Sequence, residues 1–215
     1  MACHLCETRR PRRQCPGVHG DICAPCCGSE REITITCPFD CQYLQEARNH
    51  ERPPELDPEK IPHRDIQVSE KFLEEQSPLI EQLASGIVSA AVGSPGTIDS
   101  DVREALDALV RTYRTLVSGL YYETLPNNPL AATICRAVQH TVDEIRKHEA
   151  QRTGVRTITD KDVLGVLVFL SRLEQQAANG RQRGRAFLHF MYSHFARELE
   201  MAEARQAASP LLITP

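Results

Sequence analysis

Eight of the nine cysteines lie between Cys3 and Cys41. Their order is Cys3-x2-Cys6-x8-Cys15-x7-Cys23-x2-Cys26-Cys27-x9-Cys37-x3-Cys41. Tetrahedral zinc takes four thiolates or imidazoles, usually as two close pairs separated in sequence. Eight thiols therefore suit two ions. Cys3, Cys6, Cys23 and Cys26 form one natural set, and Cys15, Cys27, Cys37 and Cys41 form the other. His19 or His50 can replace a thiol in the second set, and spacing alone does not select the partition. Zinc fits better than an iron–sulfur cluster, since the compact ferredoxin run of successive Cys-x2-Cys steps is missing; a four-thiolate cluster assembled from distant pairs is the alternative. A third use of the same residues is redox chemistry, with Cys15 or Cys27 as a free thiol activated near Arg12 and Arg13.

Thiols ligate metal where the compartment keeps them reduced. The N-terminus places cysteine and arginine where a secretory signal would carry an apolar run, and no window approaches the ~18 apolar residues of a membrane span. A soluble, cytoplasmic protein is expected, and clustered Cys-x2-Cys pairs there read as metal ligands. Residues 1–50 also contain few large apolar side chains, too few for a core of their own. The metal is therefore expected to be part of the fold, since a structural zinc contributes an apparent ~10–16 kcal/mol at neutral pH.

Local patterns place elements around these ligands. Arg31–Thr36 alternates Ile33 and Ile35 with polar residues, as a half-buried strand does. It leads through Cys37-Pro38 to Cys41, expected in the first turn of a helix, where free N–H groups favour a thiolate. This predicts a treble-clef-like module. The cysteine run, with Cys15-Pro16, Cys41-Gln42 and the downstream His50, resembles the two-zinc fingers of the MYND and HIT classes over residues 3–50. That resemblance implies two zinc ions and a protein-interaction role, with ligands at Cys3, Cys6, Cys23, Cys26, Cys37 and Cys41. The chain departs from those fingers in the long Cys26–Cys37 gap, in the Cys26-Cys27 doublet and in having no cysteine closely following His50. The segment also resembles the cysteine-rich N-termini of uncharacterised bacterial proteins.

The chain has 215 residues, is 41% hydrophobic and carries a net charge of −4. These values exclude a disordered, collagen-like or strongly basic chain. Residues 1–50 hold six arginines against six acidic residues. The run Arg9, Arg10, Arg12, Arg13 could meet nucleic-acid phosphates, but without a basic domain or stacking aromatics it reads better as a loop balancing metal-thiolate charge.

The elements beyond the cysteines are helical. The expected organisation is a zinc module over residues 1–52, a proline-rich semi-rigid linker over 53–65, a helical bundle over 66–208 and a tail over 209–215. Ser77-Pro78 starts a helix that ends at Gly93. Asp99 or Ser100 starts another, whose seam is Val102, Leu106, Leu109, Tyr113, Leu116 and Leu120. Asn128-Pro129 opens a third to about His148, Thr159 or Asp160 a fourth to Asn179-Gly180, and a last runs from about Gln182 to Gln206. The fold class is thus mainly α, a small zinc module followed by an antiparallel bundle of about five helices.

Other chemistry is sparse. His140, Glu144 and His148 share a helix face but lack the repeated Glu-x-x-His of a carboxylate metal site. Cys135 reads as a buried apolar residue. Arg181, Arg183 and Arg185 in the Gly180–Arg185 loop could receive an anion near a helix start. An enzyme using that loop with His189 and His194 would need a closed pocket there. The aromatic turn Tyr121-Tyr122-Glu123 could dock a partner. No phosphate loop, dinucleotide fingerprint or nucleophile elbow occurs. The chain reads as a non-enzymatic zinc-binding adaptor with a protein partner or self-association and no membrane contact; the alternative is a thiol-redox or metal-responsive sensor.

Overall fold

Between the first two cysteine pairs the chain turns back on itself in a short antiparallel hairpin. Its strands are β1 (Arg13–Cys15) and β2 (Gly20–Ile22), with Cys15 opposite Gly20. The computed structural model describes residues 2–51, 57–154 and 157–195. Helix α1 (Ala24–Glu30) follows directly, with Cys23 as its N-cap residue and Pro25 in its first turn, where the missing N–H costs nothing. Helix α2 (Gln42–Arg48) starts at Cys41, which is its N-cap residue.

Knuckle, hairpin and helix thus occur in treble-clef order, but the helix is α1, which the periodicity of so short a segment does not signal. The expected strand over Arg31–Thr36 is absent. Only an isolated bridge joins Arg31 to Ile35, and between them the chain turns through Glu32 at φ 54°. Ile35 is buried, Ile33 is exposed, and the carboxylate of Glu32 is fully buried. An alternating pattern marks a strand only when the polar positions face water, and here one of them faces inward.

Ile22, Ile35 and Leu44 are the fully apolar residues buried in this module, together with six cysteines. The Cys-Pro-Gly turn must pack closely: a Cβ at Gly17 would lie 2.6 Å from Ile35 Cγ2 and 2.9 Å from the Thr36 carbonyl. Glycine is required there by contact with backbone.

The helical part comprises α3 (Glu70–Glu75), α4 (Ser77–Gly93), α5 (Asp99–Val117), α6 (Pro129–Thr153), α7 (Asp160–Ala177) and α8, of which residues 186–195 are described. Helix α5 packs on α7 and α6, and α4 packs on α6. Asn128 caps α6 through its side chain, and Gly154 ends that helix in the left-handed conformation. Thr159 and Asp162 form a reciprocal capping box on α7. On α5 the capping carboxylate is Asp101, which accepts the Ile98 N–H at 2.9 Å.

Val102, Leu106, Leu109 and Tyr113 are buried in the α5 seam, but α5 stops at Val117 and Leu120 is 66% exposed. The bundle core also takes Phe187, Leu188 and Met191 from α8. Helix α8 starts at residue 186, later than expected, because residues 180–185 are committed elsewhere. Its expected course to Gln206 and the 209–215 tail lie outside the described residues. Among the described residues no helix is long and apolar enough to cross a membrane.

Of the proline-rich segment, residues 52–56 lie outside the description. From Asp57 the chain is tied to the bundle. Arg172 donates to the carbonyls of Pro62, His63 and Ile66, Gln175 donates to that of Lys60, and Arg114 forms a bidentate pair with Asp65. Among the described residues the carbonyls of Lys60, Pro62 and Ile66 have no backbone donor, and α7 supplies one to each.

Candidate metal centre

The sulfurs of Cys3, Cys6, Cys23 and Cys26 all lie within 4.8 Å of one another. Cys3 and Cys6 sit on the knuckle before β1, Cys23 caps α1, and Cys26 lies in the first turn of that helix. The knuckle is fixed by the Cys3 N–H donating to the Arg9 carbonyl and the Glu7 N–H to that of Cys3. It is tied to β2 by the His4 N–H on the Asp21 carbonyl and by the Cys23 N–H on the Cys3 sulfur, at 3.2 Å. Cys3, Cys23 and Cys26 are buried and Cys6 is half-buried. Four thiols from two pairs around one point are a donor set that can hold a thiophilic ion.

The electrostatics fit a cation. The Thr8 hydroxyl and the backbone N–H groups of Thr8 and Arg9 hold the Cys6 thiol down at about 5. Burial opposes ionisation of Cys3, but the amides of Cys6, Cys23 and Leu5 outweigh it. The adjacent Cys23 sulfur, together with burial, pushes the Cys26 thiol up to about 12. Sulfurs in mutual contact cannot all ionise unless positive charge enters among them, and a divalent ion supplies it.

Two arginines of the basic run face sulfur. Arg9 is held more basic by its hydrogen bond to Cys23, and Arg13 donates to the Cys27 sulfur at 3.2 Å while lying 4.7 Å over the Tyr43 ring. Arg31 also approaches Cys27, at 3.8 Å.

Cys15, Cys27, Cys37 and Cys41 belong to the same sulfur-rich core. Burial pushes the Cys37 thiol up to about 11, and charge on neighbouring Cys41 and Cys15 adds to it. Among the described residues the first set alone has every donor atom within 4.8 Å of every other; Cys27 is turned to its two arginines, and His19 and His50 are exposed.

The Gly180–Arg185 loop faces an anion of the chain itself. Glu32 Oε1 accepts from Arg48 Nη2 at 2.5 Å and from the Arg185 N–H at 2.8 Å, and Oε2 accepts from Asn179 Nδ2 at 2.8 Å. Arg181 donates to the Arg31 carbonyl, Arg183 to the Thr36 hydroxyl and Arg185 to the Cys37 carbonyl. The Arg185 guanidinium lies 3.7 Å over the Phe39 ring, which stacks on Tyr192 of α8. Module and bundle are joined by this buried polar seam. Sequence shows the arginines but not Glu32, whose signal is that of an exposed strand position.

Beside the seam an open cleft of about 480 Å³ is lined by Arg48, Glu51, Asn179, Arg181, His189 and Ser193. Its two arginines are paired with Glu32 and Glu51. Cys135 is buried, and burial pushes its thiol up to about 12. His140, Glu144 and His148 are exposed along an α6 groove, with Glu144 paired to Lys147. Compared with known protein families, curated proteins and solved structures, the chain matches none.

Proposed function

We propose that this chain is a cytoplasmic zinc-binding interaction protein, in which structural zinc folds the N-terminal module and the helical bundle carries it as a scaffold. The observation behind this reading is the convergence of the Cys3, Cys6, Cys23 and Cys26 sulfurs within 4.8 Å. Zinc suits a closed four-thiolate site with no open position for a substrate. A second ion at Cys15, Cys27, Cys37 and Cys41 rests on their thiol spacing and common core, and binding it requires Cys27 to leave its two arginines. Native mass spectrometry of protein purified without added metal tests both assignments. Two zinc ions per chain are expected. One ion removes the second site, visible absorption from a cluster replaces zinc by iron and sulfide, and a metal-free folded chain overturns the reading.

One observation favours a second reading, a metal- or redox-responsive regulator. The carbonyl of Cys37 is held by Arg185, next to the Glu32 seam. Release of metal near Cys37 would therefore be felt by the bundle. Peroxide titration, followed by zinc release and assembly state, separates the readings: a structural site keeps its metal and its assembly at oxidant concentrations that empty a sensor.

A further inference from the structure

Ten large hydrophobic residues are exposed among the described residues, and five of them fall within residues 117–125. Tyr121 is 79% exposed, Tyr122 68%, Leu120 66% and Leu125 55%, with Val117 beside them. This segment is fixed in place. Gly119 ends α5 in the left-handed conformation, at φ 77°. The Thr115 hydroxyl, shared between the Thr112 carbonyl at 2.8 Å and the Tyr122 carbonyl at 3.1 Å, and the Thr124 N–H, which donates to the Thr112 hydroxyl at 2.9 Å, tie the segment to α5. Glu123 is drawn aside by Gln139 of α6 at 2.9 Å. A contiguous apolar ridge held rigidly in water marks an interaction surface more than a loop tip.

We propose that this ridge is where a second copy of the chain packs, across a two-fold axis. The proposal names the partner in the interaction reading above and rests on it. Three features select a copy of the same chain. The five residues expose on the order of 600 Å² per chain, so two ridges face to face remove at most about 1,200 Å² in total, the lower bound for a specific interface. Apart from the exposed carboxylate of Glu123, which accepts from the neutral Gln139 of α6, the ridge is uncharged, so the apolar side chains of identical surfaces meet with one like-charge pair to be kept apart. Among the described residues nothing bonds the backbone N–H groups of Tyr121, Glu123 and Leu125. The same edge of a second copy offers the carbonyls they lack.

The test uses the full chain with its metal. Light scattering after size exclusion, from about 1 to 100 μM chain, is expected to show the mass doubling with concentration, as an interface at this lower bound implies. The double variant Tyr121→Glu/Tyr122→Glu is expected to stay monomeric with unchanged circular dichroism and metal content. Hydrogen exchange of wild type supplies a readout without substitution, as the Tyr121, Glu123 and Leu125 amides gain protection with chain concentration. A wild-type monomer at all concentrations, or a dimer that the double variant preserves, overturns the proposal. Metal content on the same samples reports separately on the zinc reading.

Discussion

Glu32 is buried with its charge, and its left-handed backbone turns the carboxylate back between the module and the bundle. Removing one partner of a buried ion pair leaves the other charge stranded, at a cost of about 3–5 kcal/mol. Glu32→Ala is expected to lose the lower part of that range in urea unfolding, because Asn179 and the Arg185 amide lose their acceptor while Arg48 keeps Glu51 as its second partner. The sulfurs divide by role at this same scale. Cys23→Ser is expected to lose one metal ion per chain by native mass spectrometry, whereas Cys135→Ala leaves metal content unchanged, since its thiol donates to the Ala105 carbonyl inside the bundle. Both expectations follow from where a side chain points, which residue type does not give.

Helices in this chain are positioned by small residues and capping carboxylates. Gly165 on α7 passes the ring of Phe72, and a Cβ there would sit 2.5 Å from it. Gly165→Ala is expected to destabilise by about 1–3 kcal/mol in thermal or urea melts, the usual cost of overpacking, despite alanine's better helix propensity. Asp99 begins α5 and accepts the Phe187 and Leu188 N–H groups at the start of α8. Burial nevertheless pushes its carboxyl up to about 7. The folded chain thus holds a proton that the unfolded chain has already released above about pH 4, so stability falls as pH rises toward and through 7. Asp99→Asn is expected to flatten this dependence by about 1 kcal/mol between pH 6 and 8, read from urea midpoints. His63 and His189, held below their ordinary values by burial, act in the opposite sense below about pH 6.5, and comparison with wild type cancels them. The helical elements were largely legible from periodicity and capping residues. The turn at Glu32 and helix α1 were not, because Arg31–Thr36 alternates like a strand while α1 is two turns long and carries little apolar pattern.

The whole molecule joins two unlike cores, one of sulfur with Ile22, Ile35 and Leu44, the other of hydrocarbon from six helices. Chelation of the metal is therefore expected to unfold the module while the bundle keeps most of the helical circular dichroism. Because the seam depends on the module, the Arg183 and Arg185 amides, which donate to the Glu32 carbonyl and carboxylate, should lose hydrogen-exchange protection in the same step. A chelated protein that unfolds as one cooperative unit would show that the bundle cannot stand without the seam.

By itself the sequence determined that the first fifth of the chain is a cysteine-rich module with metal-ligand spacing and that the rest is helical, because thiol spacing and apolar periodicity are local properties. It also displayed the arginines of the Gly180–Arg185 loop. Only the tertiary structure decided which four thiols converge, that the loop's anion is Glu32, and that Leu120 leaves the seam for the surface. Those outcomes depend on which distant groups meet, and the buried Glu32 carboxylate is tolerated because the fold brings it donors from two separate segments, α2 and the 179–185 connection.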